Sequence, residues 1–303
     1  MRPCIALVSE QLAMDYLLPA FRARFPEASF CRIDPEVQQT DALDRIDAVV
    51  CWRPPAGLLA RMPRLRLVQS VGAGIDHITR DPSLPDVPVC RIVDPDMAAG
   101  MNAYVSWAVV HGQRHMGGYL ANQRSALWRE SPIEPPGRHR VGIAGLGVLG
   151  RSAARALAAI GYRVRGWSRG PKDDLPDGVE AFHGDAGRAE FLAGCDTLVC
   201  LLPLTGQTRG ILGAELFARL PRGARLVNAG RGDHLVAQDL LAALDSGQIG
   251  SAVLDAFVDE PLPADHPFWR HPRITVTPHI ATRTEPDAIA LQTRDNLDRL
   301  SRG

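Results

Sequence analysis

The stretch that most constrains this chain is Val141-Gly142-Ile143-Ala144-Gly145-Leu146-Gly147-Val148-Leu149-Gly150. It reads as a short apolar strand, a glycine turn and the start of a helix. Arg151–Ile160 continues it with alanine, leucine and arginine, all strong helix formers. Gly145, Gly147 and Gly150 supply G-x-G-x-x-G in the strand–turn–helix setting that a dinucleotide site requires. One glycine permits the tight turn, the second lets backbone approach a pyrophosphate, and the third lets helix and strand pack closely. The helix N-terminus then presents unpaired N–H groups to the anion. Gly145, Leu146, Gly147, Val148, Leu149 and Gly150 are therefore the expected cofactor cradle; a glycine-rich packing turn is the plainer alternative.

A chain of 303 residues suggests about two domains. Its 34 basic and 34 acidic side chains cancel, and no basic run stands out, so nucleic acid and anionic membrane are poor partners. The apolar runs are only strand-length, and the N-terminus enters the run Cys4-Ile5-Ala6-Leu7-Val8 directly, without a secretory pattern. The 6 cysteines (Cys4, Cys31, Cys51, Cys90, Cys195, Cys200) form no C-x-x-C pair and mostly lie in or beside strand-like runs. Reduced thiols in a cytoplasm fit this best, with no metal site. Lys172 is the only lysine, which excludes a P-loop and leaves almost no candidate for Schiff-base chemistry.

Residues 1–100 alternate strand-like pieces (Cys4–Val8, Ala48–Trp52, Leu65–Gln69, Val87–Ile92) with helical ones, including Leu12–Phe25 interrupted by Pro19. Such alternation implies a small parallel-sheet domain. Ser70-Val71-Gly72-Ala73-Gly74-Ile75-Asp76 is a second glycine turn, able to offer N–H groups to a small anion or simply to turn the chain. Met97–Trp128 reads as one long helical stretch leading to the next domain, and the Pro-rich loop 131–137 ends it. Six strands are then expected, at Arg140–Ala144, Tyr162–Trp167, Thr197–Leu202, Arg225–Ala229, Ser251–Ala256 and Ile274–Thr277, in a doubly wound parallel sheet. Residues 284–300 look helical and are expected to return to the first domain. The division is 1–100 plus 284–303 against 101–283.

The second strand of the cofactor half bears on which nucleotide binds. An NAD site places Asp or Glu about 20 residues beyond the glycines, on the ribose 2′-OH. Here the strand ends Gly166-Trp167-Ser168-Arg169-Gly170-Pro171-Lys172. The acid is missing and a cation follows. A guanidinium pairs with a 2′-phosphate that a carboxylate would repel. Arg169 is the expected phosphate clamp, Ser168 a hydroxyl donor, and Lys172 lies in the same loop. NADP(H) is therefore preferred, with NAD(H) possible.

Ligands in open parallel sheets sit beyond the carboxyl ends of the strands. Three late strands end in chemically suggestive residues: Asn228-Ala229-Gly230 runs into Arg231, Leu254-Asp255-Ala256-Phe257 leads to Glu260, and Thr277-Pro278 delivers His279. Each alone could be a surface arginine, a solvated acid or an ordinary histidine. Together beside a nicotinamide they match a ketone reduction. That reaction needs a cation on the carbonyl or carboxylate, a proton donor, and a carboxylate that favours the imidazolium form.

With Gly72-Ala73-Gly74-Ile75-Asp76, Trp167-Ser168-Arg169, Leu202-Pro203-Leu204-Thr205, Asn228-Ala229-Gly230-Arg231-Gly232, Glu260-Pro261-Leu262-Pro263 and Thr277-Pro278-His279, the chain resembles the D-isomer-specific 2-hydroxyacid dehydrogenase family along essentially its whole length. Within it, the chain looks most like the NADPH-preferring glyoxylate/hydroxypyruvate reductase branch. The resemblance implies an α/β fold of two doubly wound parallel-sheet domains, a Rossmann-type cofactor domain and a smaller flavodoxin-like substrate domain. It implies that Arg231 binds the carboxylate and polarises the ketone of a small 2-oxoacid, that His279 donates the proton, and that Glu260 pairs with His279. It places Leu202, Pro203, Ala229 and Gly230 along the cofactor and Asp255 on the nicotinamide carboxamide. Gly72, Ala73 and Gly74 would offer N–H groups to the carboxylate, and Trp52 and Arg53 would cover the substrate's other end. It also implies a homodimer through the helical segment near 98–125.

Two departures accompany the resemblance. The branch usually carries a smaller or less charged residue where Arg53 stands, which bears on substrate size or charge. The chain stops at Gly303, where relatives often continue, which bears on the packing of a C-terminal arm. The rival expectations are another dehydrogenase of the same fold, such as a phosphoglycerate or formate dehydrogenase, or a nicotinamide-sensing binding protein like the corepressors that share it. The missing ribose acid and short C-terminus speak against the first, and the intact Arg231, Glu260 and His279 against the second.

Overall fold

A computed structural model describes residues 2–33 and 43–302. It divides into two compact units, Met1–Met97 with Arg283–Gly303, and Ala98–Thr282. The first holds a five-stranded sheet of β1 (Cys4–Ser9), β2 (Ser29–Arg32), β3 (Ala48–Trp52), β4 (Leu67–Ser70) and β5 (Val89–Cys90). All pairings are parallel and the order is β2-β1-β3-β4-β5, the flavodoxin-like arrangement. The inner strands β1, β3 and β4 are buried almost end to end, which parallel strands covered on both faces require.

Three expectations for this unit change. Ser29–Arg32 is a strand at the sheet edge, where a short segment with charged and polar ends carries little periodic signal. The expected Val87–Ile92 strand shrinks to Val89–Cys90, also an edge. Pro19 does not interrupt a helix. It sits in the first turn of Leu18–Arg24, where a missing N–H costs nothing, and a 3-10 turn at Met14–Leu17 precedes it.

The C-terminal helix Pro286–Arg302 belongs to this first unit because its buried stripe, Ile289, Ala290, Thr293 and Leu297, follows helical spacing. Polar contacts fix its register. Gln292 exchanges two hydrogen bonds with the Val93 backbone, both at 3.1 Å, and Asn296 donates to Gln69 at 2.9 Å.

The second unit carries seven strands where six were expected: β6 (Arg140–Ala144), β7 (Arg163–Ser168), β8 (Val179–His183), β9 (Thr197–Cys200), β10 (Ala224–Asn228), β11 (Ile249–Leu254) and β12 (Ile274–Val276). Their order is β12-β11-β10-β9-β6-β7-β8, all parallel, so the chain reverses direction between β6 and β9 in the doubly wound manner. The added strand is β8, an edge strand in which only Phe182 is buried. Alternation along the inner strands sorts side chains to the two sheet faces. Ala144, Leu198, Cys200, Leu226 and Leu254 join one core; Val141, Ile143, Val199, Val227 and Val253 join the other.

The expected continuous helix Met97–Trp128 is two helices, Pro95–Gln113 and Met116–Arg124. His115 stands between them at φ 56, a left-handed residue that no α-helix continues through. The sequence offers no proline as a signal there. The second helix buries no residue, so no packing holds it in line with the first. No helix among the described residues is long and apolar enough to cross a membrane.

Candidate active site

The three glycines after β6 do three different jobs. Gly145 has φ +108, and a Cβ there would stand 2.6 Å from the Leu201 carbonyl oxygen. A Cβ on Gly150 would stand 1.9 Å from the Gly145 carbonyl oxygen, so this glycine lets the helix close onto the turn. A Cβ on Gly147 would meet nothing within 4 Å. That open space fronts the helix Val148–Ile160, which starts at Gly147 without a side-chain cap. Its buried residues Gly150, Ala153, Ala154 and Leu157 hold it along the sheet, and Gly161 at φ 102 ends it. Open space at a glycine beside uncapped N–H groups fits a pyrophosphate. Leu146, by contrast, turns its side chain inward; it is buried and fills the space above Gly166. It contributes backbone to the cradle.

At the end of β7, Trp167 is buried and donates from its indole to the Gly184 carbonyl at 2.9 Å. The Ser168 hydroxyl donates to the Gly170 carbonyl at 2.8 Å. That bond closes the turn at the strand end. Ser168 shapes the turn, while Arg169 and Lys172 are exposed in the loop that follows. Beyond β9, Leu202 is buried, and the exposed Pro203 is held by the Thr208 hydroxyl, which donates to its carbonyl at 2.7 Å.

Beyond β10 the chain reaches Arg231 through a tightly bonded turn. The Asn228 amide donates to the Arg231 carbonyl at 3.0 Å and accepts from the Gly230 N–H at 3.2 Å. The Arg231 N–H donates to Nδ1 of His234 at 3.0 Å, and its guanidinium donates to the Gly230 carbonyl at 2.9 Å. His234 is fully buried under the turn and limits position 230 to glycine, since a Cβ there would stand 2.9 Å from its Nδ1. Ala229 is half-buried at the start of this turn. Gly232 lets Arg231 lie close to the next loop: a Cβ on it would be 2.0 Å from the Phe257 backbone.

That next loop carries Glu260. Its Oε1 accepts from the Phe257 N–H at 2.9 Å, and its two oxygens each stand 3.0 Å from Nδ1 of His279. The catalytic pair expected from sequence is thus in direct contact, and Arg231 is linked to it through Gly232 and Phe257. His279 follows β12 at φ 52, an uncommon left-handed conformation for a residue with a side chain. Asp255 enforces it. The buried Asp255 accepts from the N–H of Ile280 at 2.9 Å, of Ala281 at 2.8 Å and from the Thr277 hydroxyl at 2.6 Å, and its carbonyl accepts the His279 N–H at 2.9 Å. The carboxylate expected on a nicotinamide carboxamide is therefore already committed to the histidine loop.

In the first unit, Trp52 and Arg53 leave β3, and Gly72, Ala73 and Gly74 leave β4. Ser70 closes the glycine turn: its hydroxyl donates to the Gly74 carbonyl at 2.9 Å and accepts from the Gly72 N–H at 3.2 Å. The Gly72 N–H thus points into the turn toward Ser70. A Cβ on Gly72 would touch the Trp52 ring at 3.4 Å, and His77 covers that ring at 4.3 Å between centroids. Arg53 has φ 46.

His234 and His77 are not singled out by the sequence, and Thr277 stands there only as a neighbour of His279. His234 lies three residues beyond Arg231 and Thr277 two before His279, and those spacings are the only signals that could have found them. Among the described residues, no group of three or more His, Cys, Asp or Glu side chains could hold a metal ion.

Comparison with known proteins identifies the family. The family described as D-isomer specific 2-hydroxyacid dehydrogenase, NAD binding domain, matches residues 107–281. A glyoxylate/hydroxypyruvate reductase A from Serratia proteamaculans (strain 568) is 46% identical over 265 residues, covering 85% of this chain and 83% of that protein. The crystal structure of the NADPH-dependent glyoxylate/hydroxypyruvate reductase from Sinorhizobium meliloti, in complex with NADP and sulfate, superposes with a TM-score of 0.92 at 38% identity, over 100% of this chain and 96% of that one. A D-isomer specific 2-hydroxyacid dehydrogenase from Xanthobacter autotrophicus Py2, in complex with NADPH and MES, gives 0.91 at 37% identity, over 100% and 96%. The glycine cradle and the paired Glu260 and His279 thus stand within a lineage that the whole chain shares, and this protein belongs to the D-isomer specific 2-hydroxyacid dehydrogenase family of oxidoreductases.

Proposed function

We propose that this chain reduces small 2-oxoacids, glyoxylate and hydroxypyruvate, to the 2-hydroxyacids, with NADPH as the preferred cofactor. The observation that carries the reading is the contact of Glu260 with Nδ1 of His279, at 3.0 Å. It anchors the ring through Nδ1, with Nε2 assigned to the substrate. Bound NADPH supplies the hydride. His279 delivers a proton from Nε2 to the carbonyl oxygen as negative charge develops there. Glu260 holds the ring and faces the charge it carries while protonated. Arg231 binds the carboxylate and stabilises the developing alkoxide. Gly72, Ala73, Gly74, Trp52 and Arg53 are assigned to the substrate on the family resemblance.

The cofactor preference rests on the absent acid at Ser168 and on the exposed cations Arg169 and Lys172. The Sinorhizobium and Xanthobacter relatives, solved in complex with NADP and NADPH, support it. A homodimer is proposed through the segment around Met116–Arg124, a helix with no buried residue, followed by Trp128 at 94% exposure.

The test is a panel of 2-oxoacids assayed with NADPH and NADH, on the natural sequence and on His279→Ala. Turnover of glyoxylate and hydroxypyruvate that favours NADPH, and that His279→Ala abolishes, is expected. Nucleotide binding without turnover of any 2-oxoacid would favour a sensor and overturn the proposal.

A further inference from the structure

The buried hydroxyl of Tyr104 has no part in the chemistry above. It comes from the helix Pro95–Gln113, and its oxygen lies 2.6 Å from the Thr277 hydroxyl. Thr277 lies 2.6 Å from Oδ1 of Asp255 and donates to it. Asp255 in turn bonds Ile280, Ala281 and the His279 N–H. A carboxylate that is 1% exposed thus organises the whole segment 277–281 around the left-handed His279.

The protons in this chain run one way. Thr277 has a single hydroxyl proton and gives it to Asp255, so its oxygen accepts from Tyr104. Burial pushes the Tyr104 phenol up, so it keeps its proton and stays a donor. The result is a directed series, Tyr104 to Thr277 to Asp255, that ends on a buried negative charge. Hydrogen bonds to an ionised acceptor are the strong ones, and the Thr277 hydroxyl adds one to a carboxylate that also holds Ile280 and Ala281. A left-handed histidine is strained and persists only where its surroundings over-determine it.

We infer that Tyr104 and Thr277 are positioning residues for the proton donor: through Asp255 they hold the 277–281 segment so that Nε2 of His279 faces the carbonyl oxygen of a bound 2-oxoacid. The inference rests on the reading of His279 as the proton donor. A tyrosine that merely filled the core would matter for stability alone. The two roles separate because Tyr104→Phe keeps the ring and removes only the first donor, while Thr277→Ser keeps the hydroxyl and Thr277→Val removes it.

The experiment measures kcat, KM for glyoxylate and for NADPH, the solvent deuterium isotope effect and the thermal midpoint. The variants are Tyr104→Phe, Thr277→Val, Thr277→Ser, the Tyr104→Phe/Thr277→Val pair and His279→Ala. Tyr104→Phe and Thr277→Val should each lower kcat, by about fivefold for one hydrogen bond, and raise the isotope effect, while KM for NADPH stays within about twofold. Thr277→Ser should restore kcat. The pair should be no slower than Thr277→Val alone, because the residues act in one series. Unchanged kcat in Tyr104→Phe with only a lowered midpoint overturns the inference, as do losses that multiply in the pair or a Thr277→Ser as slow as Thr277→Val. Should His279→Ala leave turnover intact, the proton-donor reading fails and this inference with it. Should His279→Ala abolish turnover while Tyr104→Phe and Thr277→Val do not slow it, only the inference fails.

Discussion

Nδ1 of His279 stands 3.0 Å from each carboxylate oxygen of Glu260. One of those oxygens also accepts the Phe257 N–H at 2.9 Å, so the carboxylate is fixed before it fixes the imidazole. Glu260→Gln replaces one acceptor by an NH2 group and removes the charge that faces a protonated ring. A loss of about tenfold to a hundredfold in kcat is expected, with NADPH affinity nearly unchanged. Steady-state kinetics beside a fluorescence titration of NADPH check it. Equal losses in both would mean that Glu260 holds the fold instead.

The glycine cradle gives a prediction with two opposite outcomes. Gly147 has open space at its Cβ position and an ordinary φ of -75, so Gly147→Ala should fold with normal stability. Its methyl would stand where a pyrophosphate binds, and NADPH affinity should fall by at least about tenfold. Gly150→Ala meets the Gly145 carbonyl at 1.9 Å, a clash between main-chain segments that no rotamer relieves. It should cost more than about 2 kcal/mol of stability. Thermal melts and nucleotide titrations of the two variants distinguish the roles, and a Gly147→Ala that binds NADPH normally would remove Gly147 from the site.

What was legible in the sequence follows from how local each signal is. A glycine cradle is written in six consecutive residues, and Arg231, Glu260 and His279 announce their chemistry by type and by position after strands. Edge strands β2 and β8 were not legible, because β8 is mostly exposed and both lack the apolar runs of β1, β6 or β9. The partners that orient the site were not legible either. Tyr104 and Thr277 are 173 residues apart in sequence, and nothing in their flanks brings them together. Asp255 was legible as an acid at a strand end, but its commitment to the His279 loop is a product of packing.

Arg169 and Lys172 carry the cofactor preference. Arg169→Ala should raise KM for NADPH by about tenfold or more and leave KM for NADH nearly unchanged, since a guanidinium–phosphate pair is lost only with NADPH. Ser168→Asp should go further and favour NADH, because an acid at this strand end bonds the 2′-OH and repels the 2′-phosphate. Equal effects of Arg169→Ala on the two cofactors would refute the clamp.

The segment from Met116 to Ile133 gives the assembly prediction. Its helix buries nothing, and Leu120, Leu127, Trp128 and Ile133 are 49%, 43%, 94% and 68% exposed. So much apolar surface in one stretch is the mark of an interface. Light scattering after gel filtration should report a dimer, and Leu120→Asp with Trp128→Ser should shift it to monomer. A natural sequence that elutes as a monomer at micromolar concentration would sink the proposal.

The buried thiols predict the behaviour at high pH. Burial pushes Cys51, Cys195 and Cys200 up to about 12, and Cys31 up to about 11. Thiolate is the reactive form, so iodoacetamide at pH 8 should leave Cys51, Cys195 and Cys200 unlabelled in the folded protein and label them on unfolding. The same shifts act on stability. An unfolded chain releases these protons near the ordinary thiol pKa of about 8.5, whereas the folded chain holds them until its raised value. Between those limits the folded state binds more protons, so stability present below about pH 8.5 is lost as pH climbs toward 12. Cys195→Ala should flatten that loss, because it removes one of the three most shifted thiols from a position beside Gly142 where a smaller side chain fits. Chemical denaturation at a series of pH values from 7 upward reads the slope, and a Cys195→Ala slope equal to that of the natural sequence would show that the alkaline loss has another source.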